Sequence, residues 1–192
     1  MTDAVALATS LIASGRTDPG RAIALTLERF GAHALRFALR AGTRIVPLER
    51  GETYCSASTA LARLGIDVDA WPAPPAGLFV VEERTVYVRS RSAMTIAHEF
   101  GHALDCALGG GIYRSGIDPA LRALFTKAQR FVTPYAATGI DEYFAEALRA
   151  YVEVNDVTSH WPRATRARLN EIDPGLFAFI QQIFQVDFQS AA

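Results

Sequence analysis

Residues 90–107 read Ser-Arg-Ser-Ala-Met-Thr-Ile-Ala-His-Glu-Phe-Gly-His-Ala-Leu-Asp-Cys-Ala, and three glycines follow at 109–111. Met94, Ile96, Ala97, Phe100, Ala103 and Leu104 are too many apolar positions for one stripe. They describe a helix buried over most of its circumference, closed by the glycines. His98 and His102 stand at i, i+4 on one face, about 6 Å apart along the axis. At that separation two ring nitrogens can reach one zinc ion. Glu99 lies one position on, suited to take a proton from an activated water rather than to bind the metal. The chain holds four His, and a chance H-E-x-x-H has a probability of roughly half a per cent, so the spacing is read as a site. Imidazoles and a carboxylate in so apolar a helix also need partners or a metal, because burying them alone is costly.

Two imidazoles leave a tetrahedral zinc short of a protein ligand. Cys106 lies about 12 Å along the axis from His98, so one straight helix cannot wrap an ion with all three. The position where some H-E-x-x-H proteins carry a third His is Leu108. The ligand is then expected from another helix. Residues 139–154 offer one, with Glu142 and Glu146 at i, i+4 and apolar Tyr143, Phe144, Ala147 and Leu148 on the other side. One carboxylate can bind the metal while the other accepts the remaining ring N–H of a ligand His and fixes its tautomer. The spacing leaves open which does which. Asp105, three residues past His102, is either a further orienting carboxylate or a helix-surface one.

Outward from these two helices, the chain divides into helices, then strands, then helices. Helical periodicity predicts elements at 3–14, from Asp18-Pro19 to about Phe30, and at 32–41. A strand at 43–48 and a helix at 56–64 follow, then a stiff Pro-rich connector at 72–75. Runs at 77–81 and 85–89 read as a hairpin. Beyond the central helix, the pattern predicts helices from Asp118-Pro119 to about Phe131, at 162–170 and at 174–185, with Gly109–Gly111 and Ser115-Gly116 read either as a lid or rim over the cleft or as a plain connecting loop. The order implies an α+β fold, mostly helical, with a small strand region before the H-E-x-x-H helix. An N-terminal helical segment, 1–42, precedes a unit at 43–192.

Composition removes several function classes. The chain has 192 residues, half of them hydrophobic, enough for one well-cored domain. With 19 Lys+Arg against 20 Asp+Glu, no charge excess drives binding to nucleic acid or anionic lipid. Two cysteines, Cys55 and Cys106, make no disulfide scaffold and read as reduced thiols. No apolar run approaches the roughly 18–20 residues of a membrane span. The start of the chain lacks the positive charge of a signal peptide. A cytoplasmic location, or export by a signal-less route, is the expectation.

The segments HEFGHALD (98–105) and YAATGIDEYFAEALRAY (135–151) resemble the catalytic domain of anthrax lethal factor and the smaller Pro-Pro endopeptidases, both zinc metalloproteases. The likeness covers 92–154 and extends more loosely to the helix at 174–184. It implies a zincin-like fold with one Zn2+ per chain, held by His98, His102 and Glu142. It makes Glu99 the general base, Tyr135 the phenol that donates to the developing oxyanion, and Glu146 the partner of a ligand imidazole. Tyr113 is the competing phenol. The implied partner is a peptide or protein, and the place of strand 85–89 just before the H-E-x-x-H helix leads us to expect it in extended form along that strand's free edge. Two other readings remain. One is a deformylase-like amide hydrolase with a cysteine ligand, which leaves the Glu142 helix unexplained. The other is a non-catalytic, metal-stabilised peptide-binding module, which needs neither Glu99 nor Tyr135.

Overall fold

The computed structural model describes residues 3–13 and 20–190. Three helices come first: α1 (Asp3–Leu11), α2 (Gly20–Glu28) and α3 (Gly31–Arg40). The expected start at Asp18-Pro19 lies outside the described residues. Strand β1 (Arg44–Pro47) leads to α4 (Tyr54–Ala57) and α5 (Thr59–Leu64). The single helix expected at 56–64 is thus two. Thr53 caps the first through the Ser56 amide, and extended Ser58 caps the second through the Leu61 amide. Each side chain satisfies a backbone donor that the new helix start leaves without a carbonyl partner.

β2 (Gly77–Val80) and β3 (Thr85–Val88) form the expected antiparallel hairpin, joined through Arg84 at φ +51°. β1 pairs parallel to β3, so the sheet order is β1-β3-β2. This corrects the expectation that strand 85–89 has a free edge: β3 is the central strand, paired on both sides, and the free edge on the hairpin side belongs to β2. The sheet is covered on both faces. Ile45, Phe79, Val86 and Val88 enter the main core, while their neighbours Val46, Val80 and Tyr87 pack with Tyr54, Leu61 and Val68 in a second cluster. The alternation follows from the two-residue period of a strand.

α6 (Ala93–Leu108) runs through the centre. On one side it meets the N-terminal helices, where Phe30 and Phe100 pack edge to face at 4.9 Å. On another it meets α9. Between them lie α7 (Arg114–Ile117) and α8 (Pro119–Lys127), the latter capped by Asp118. α8 ends before the expected Phe131, which turns back onto Phe125 and Tyr143 at 6.0 Å each. α9 (Ile140–Tyr151), α10 (Arg166–Ile172) and α11 (Pro174–Gln182) follow, and a π-helical turn at Ile183–Asp187 leads into α12 (Phe188–Ser190). α10 begins later than the expected 162, because Ala164 exchanges two hydrogen bonds with the Asn155 side chain and Thr165 supplies the cap. The architecture is α+β and mostly helical. No described helix is long and apolar enough to cross a membrane.

Candidate metal centre

The central helix is fixed at its N-terminus by Ser92, whose hydroxyl accepts from the Thr95 amide at 3.2 Å and donates to Asp156. The other Asp156 oxygen takes the Met94 amide. About one and a half turns on comes His98, and one turn further His102, both buried. α9 crosses α6 at Gly101. A Cβ there would stand 3.0–3.2 Å from the Ala145 backbone and Cβ, so glycine permits the close approach. That approach brings the carboxylates one helical turn apart on α9 to the two imidazoles.

Three atoms then converge. His98 Nε2 lies 3.1 Å from His102 Nε2 and 2.9 Å from Glu142 Oε2, and the latter is 3.3 Å from His102 Nε2. Zinc with arms of about 2.0–2.1 Å would set tetrahedral ligand–ligand edges near 3.4 Å, so the triangle suits such an ion with little adjustment. Glu142 Oε2 is buried and has no hydrogen-bond partner. Buried acceptors without partners are rare in folded proteins, and a cation would satisfy this one. The donor set, two imidazoles and a carboxylate, is one that zinc accepts. Burial alone would lower the His98 pKa, yet Glu142 and Glu146 push it up to about 10. Burial would raise Glu142, yet the two imidazoles hold it at about 2. Both shifts favour a positive charge between the rings and the carboxylate, a proton in the metal-free protein or a cation in its place.

Around the triangle each imidazole is treated differently. His98 Nδ1 lies 3.0 Å from Glu146 Oε1, which assigns the ring proton to Nδ1 and turns the Nε2 lone pair toward the triangle. Glu146 also accepts from Thr133 Oγ1 at 2.6 Å and from Arg149 through two nitrogens at 2.8 Å each. Burial works against its ionisation, but Arg149 and His98 hold its carboxyl well below the usual range. His102 Nδ1, by contrast, is buried with no partner. Asp105 does not reach it. Fully buried, Asp105 accepts from the Ser115 amide at 2.8 Å and Oγ at 2.5 Å and so anchors α7 to α6, and burial pushes its carboxyl up to about 6. Ser115-Gly116, expected in a loop, is therefore a pinned helical turn.

Glu99 faces a cleft of about 460 Å³ that Pro75, Met94, Tyr135 and Trp161 also line. β2 lies directly on it, since a Cβ on Gly77 would come within 2.6 Å of Glu99 Cγ. Burial pushes its carboxyl pKa up, against the pull of the two imidazoles. Tyr135 donates to Glu142 Oε1 at 3.2 Å, and its ring stands 5.3 Å from that of His98. Burial and Glu142 raise the phenol pKa, so it stays a donor. Tyr113 packs on the other flank, its ring 5.6 Å from His102. The structure thus brings together His98, Glu99, His102, Tyr135, Glu142 and Glu146, and places Asp105 behind them. Thr133 and Arg149 were not anticipated. The signal available for Arg149 was its i, i+3 spacing from Glu146 in an otherwise apolar tract.

No protein-family model matches the sequence, and no curated protein is similar to it in sequence. Among solved structures the chain is similar to the Pro-Pro endopeptidase PPEP-2 from Paenibacillus alvei. The TM-score is 0.65 and the identity 22%, over 92% of this chain and 99% of that one. The likeness is one of fold.

Proposed function

We propose that the chain is a zinc-dependent endopeptidase. The observation that carries this reading is the triangle of His98 Nε2, His102 Nε2 and Glu142 Oε2, with sides of 2.9–3.3 Å, at the wall of an open cleft. The fold it shares with a Pro-Pro endopeptidase supports the same reading. His98, His102 and Glu142 would hold the ion. When bound, zinc supplies Lewis-acid polarisation of a carbonyl and an acidified water.

The remaining work falls to side chains and backbone. Glu99, whose pKa is raised toward the working range of a base, accepts the proton of the attacking water and returns it to the leaving amine. Tyr135 leaves Glu142 to donate to the substrate oxygen as it gains charge, a contribution typically worth about 10²–10³ in rate. The edge of β2 beside Glu99 receives an extended peptide by strand addition, in the position first assigned to strand 85–89. Trp161 forms one wall of the cleft, its ring 6.2 Å from Tyr135.

The test is a zinc titration joined to a peptide-mixture digest. The expected result is one zinc per chain, fragments that vanish with chelator and return with zinc, and a Glu99→Gln variant that keeps the metal but loses about 10²–10⁴ in turnover. Zinc uptake without fragments supports the metal-stabilised peptide-binding module. Less than half an equivalent of zinc at saturation overturns both.

A further inference from the structure

Arg149 is 0% exposed. Guanidinium groups are seldom buried without a carboxylate that needs them. Here all three nitrogens of the fork make hydrogen bonds. Nε and one terminal nitrogen each hold a different oxygen of Glu146, at 2.8 Å and 2.8 Å. The other terminal nitrogen donates to the Val154 carbonyl at 2.7 Å and to Asn155 Oδ1 at 3.3 Å. Bidentate pairing fixes a carboxylate in plane and in rotation, which a single donor does not. With the plane fixed, Oε1 meets His98 Nδ1 in one orientation only. Thr133 holds the opposite oxygen at 2.6 Å.

We infer that Arg149 is a positioning residue for the metal centre: through Glu146 it locks the His98 ring with Nε2 directed at the triangle. The inference rests on the zinc reading above. A rival role for the same guanidinium is purely structural. It also secures the turn at Val154–Asn155, and Asn155 in turn holds Ala164 by two hydrogen bonds, the base of the segment that carries Trp161. The two roles separate because they use different nitrogens.

Zinc affinity, measured by competition with a chromophoric chelator, is compared with the melting temperature of the metal-free protein. Arg149→Lys keeps the positive charge and loses the fork. It should weaken zinc by about tenfold or more, the range of partners that orient a ligand imidazole. In a Glu146→Gln background the same change should cost less than about twofold, because the path is already cut. Asn155→Ala releases the turn without touching Glu146. It should lower the melting temperature and leave zinc affinity within about twofold. Should Arg149→Lys fail to fold, Thr133→Val loosens the same carboxylate from its other oxygen and should weaken zinc in the same direction.

The inference is overturned if Arg149→Lys, or Thr133→Val in its place, binds zinc like the parent. Equal losses with and without Glu146 overturn it too, as does Asn155→Ala weakening zinc as much as Arg149→Lys. A parent protein that takes up no zinc fails the metal reading itself, and this inference with it. A parent that binds zinc while Arg149→Lys is unaffected removes the inference alone.

Discussion

Two carboxylate clusters differ in how they are completed, one at the hairpin turn and one between α6 and α9. Beneath the sheet, Glu83 accepts from Ser58 Oγ at 2.9 Å, the Ala60 amide at 2.8 Å and the Tyr87 hydroxyl at 2.7 Å. Burial would raise its pKa, but these donors hold it below the usual value. Between α6 and α9, Glu142 turns Oε2 toward two ring nitrogens without a hydrogen bond, and His102 Nδ1 has none either. The first cluster is complete with protein atoms. It ties α5 to the hairpin, with both carboxylate oxygens holding protein donors. The second is complete on its outer side, through Arg149 and Thr133, and unfinished where the imidazoles meet. Satisfied polar clusters specify a fold, whereas an unfinished one in a well-packed core marks where something else binds.

This contrast can be broken most severely at Glu142. Glu142→Gln should abolish stoichiometric zinc, read by metal analysis after dialysis, and lower the metal-free melting temperature without unfolding the chain, because the depressed carboxyl also stabilises the metal-free fold at neutral pH. Loss of the fold instead of the metal would make this cluster structural like the other. Next comes Tyr135→Phe, which should lower turnover by about 10²–10³ with little change in KM. An unchanged turnover would move the role to Tyr113, on the opposite flank. Gly101→Ala tests whether close helix approach makes the difference between the clusters. The added methyl must push on Ala145, at a cost of about 1–3 kcal/mol, and should weaken zinc together with thermal stability. A variant that melts lower but binds zinc as tightly would show that the approach is not what aligns Glu142.

The smallest effect is expected at Glu83. Its depressed pKa means that its stabilisation is present above the unfolded value of 4.5 and is lost as pH falls through the lower folded value. Glu83→Gln should therefore flatten part of the acid limb of stability below pH 4.5, by about 1 kcal/mol or less, with zinc affinity unchanged. A change in zinc affinity would join the two clusters that the structure keeps apart.

Much of the second cluster was readable from spacing. His98, Glu99 and His102 declare themselves by i, i+4 on an apolar helix, and Glu142 with Glu146 does the same on a later helix. Local rules also found the hairpin and the helix start at Asp118-Pro119. What escaped depended on distant pairing. No local signal says that β1 returns to lie parallel to β3, and that pairing moves the free edge on the hairpin side to β2. Nor does local sequence reveal that Asp105 meets Ser115 rather than an imidazole, or that Arg149 is buried rather than on the solvated face its charge suggests. Capping explains the smaller misses. Ser58 and Thr165 each offer a side chain to satisfy a helix start, and the backbone breaks there instead of continuing.

His98 and Glu146 are 48 positions apart along the chain. Closing a loop of that size is an entropic cost that only the finished fold repays, so an unfolded chain offers at most scattered imidazoles and carboxylates, never the assembled triangle. Any ion that settles there favours the native state over the denatured one by mass action. The melting point should then climb with free zinc concentration, and sequestering the ion should cost the protein heat resistance as well as its chemistry.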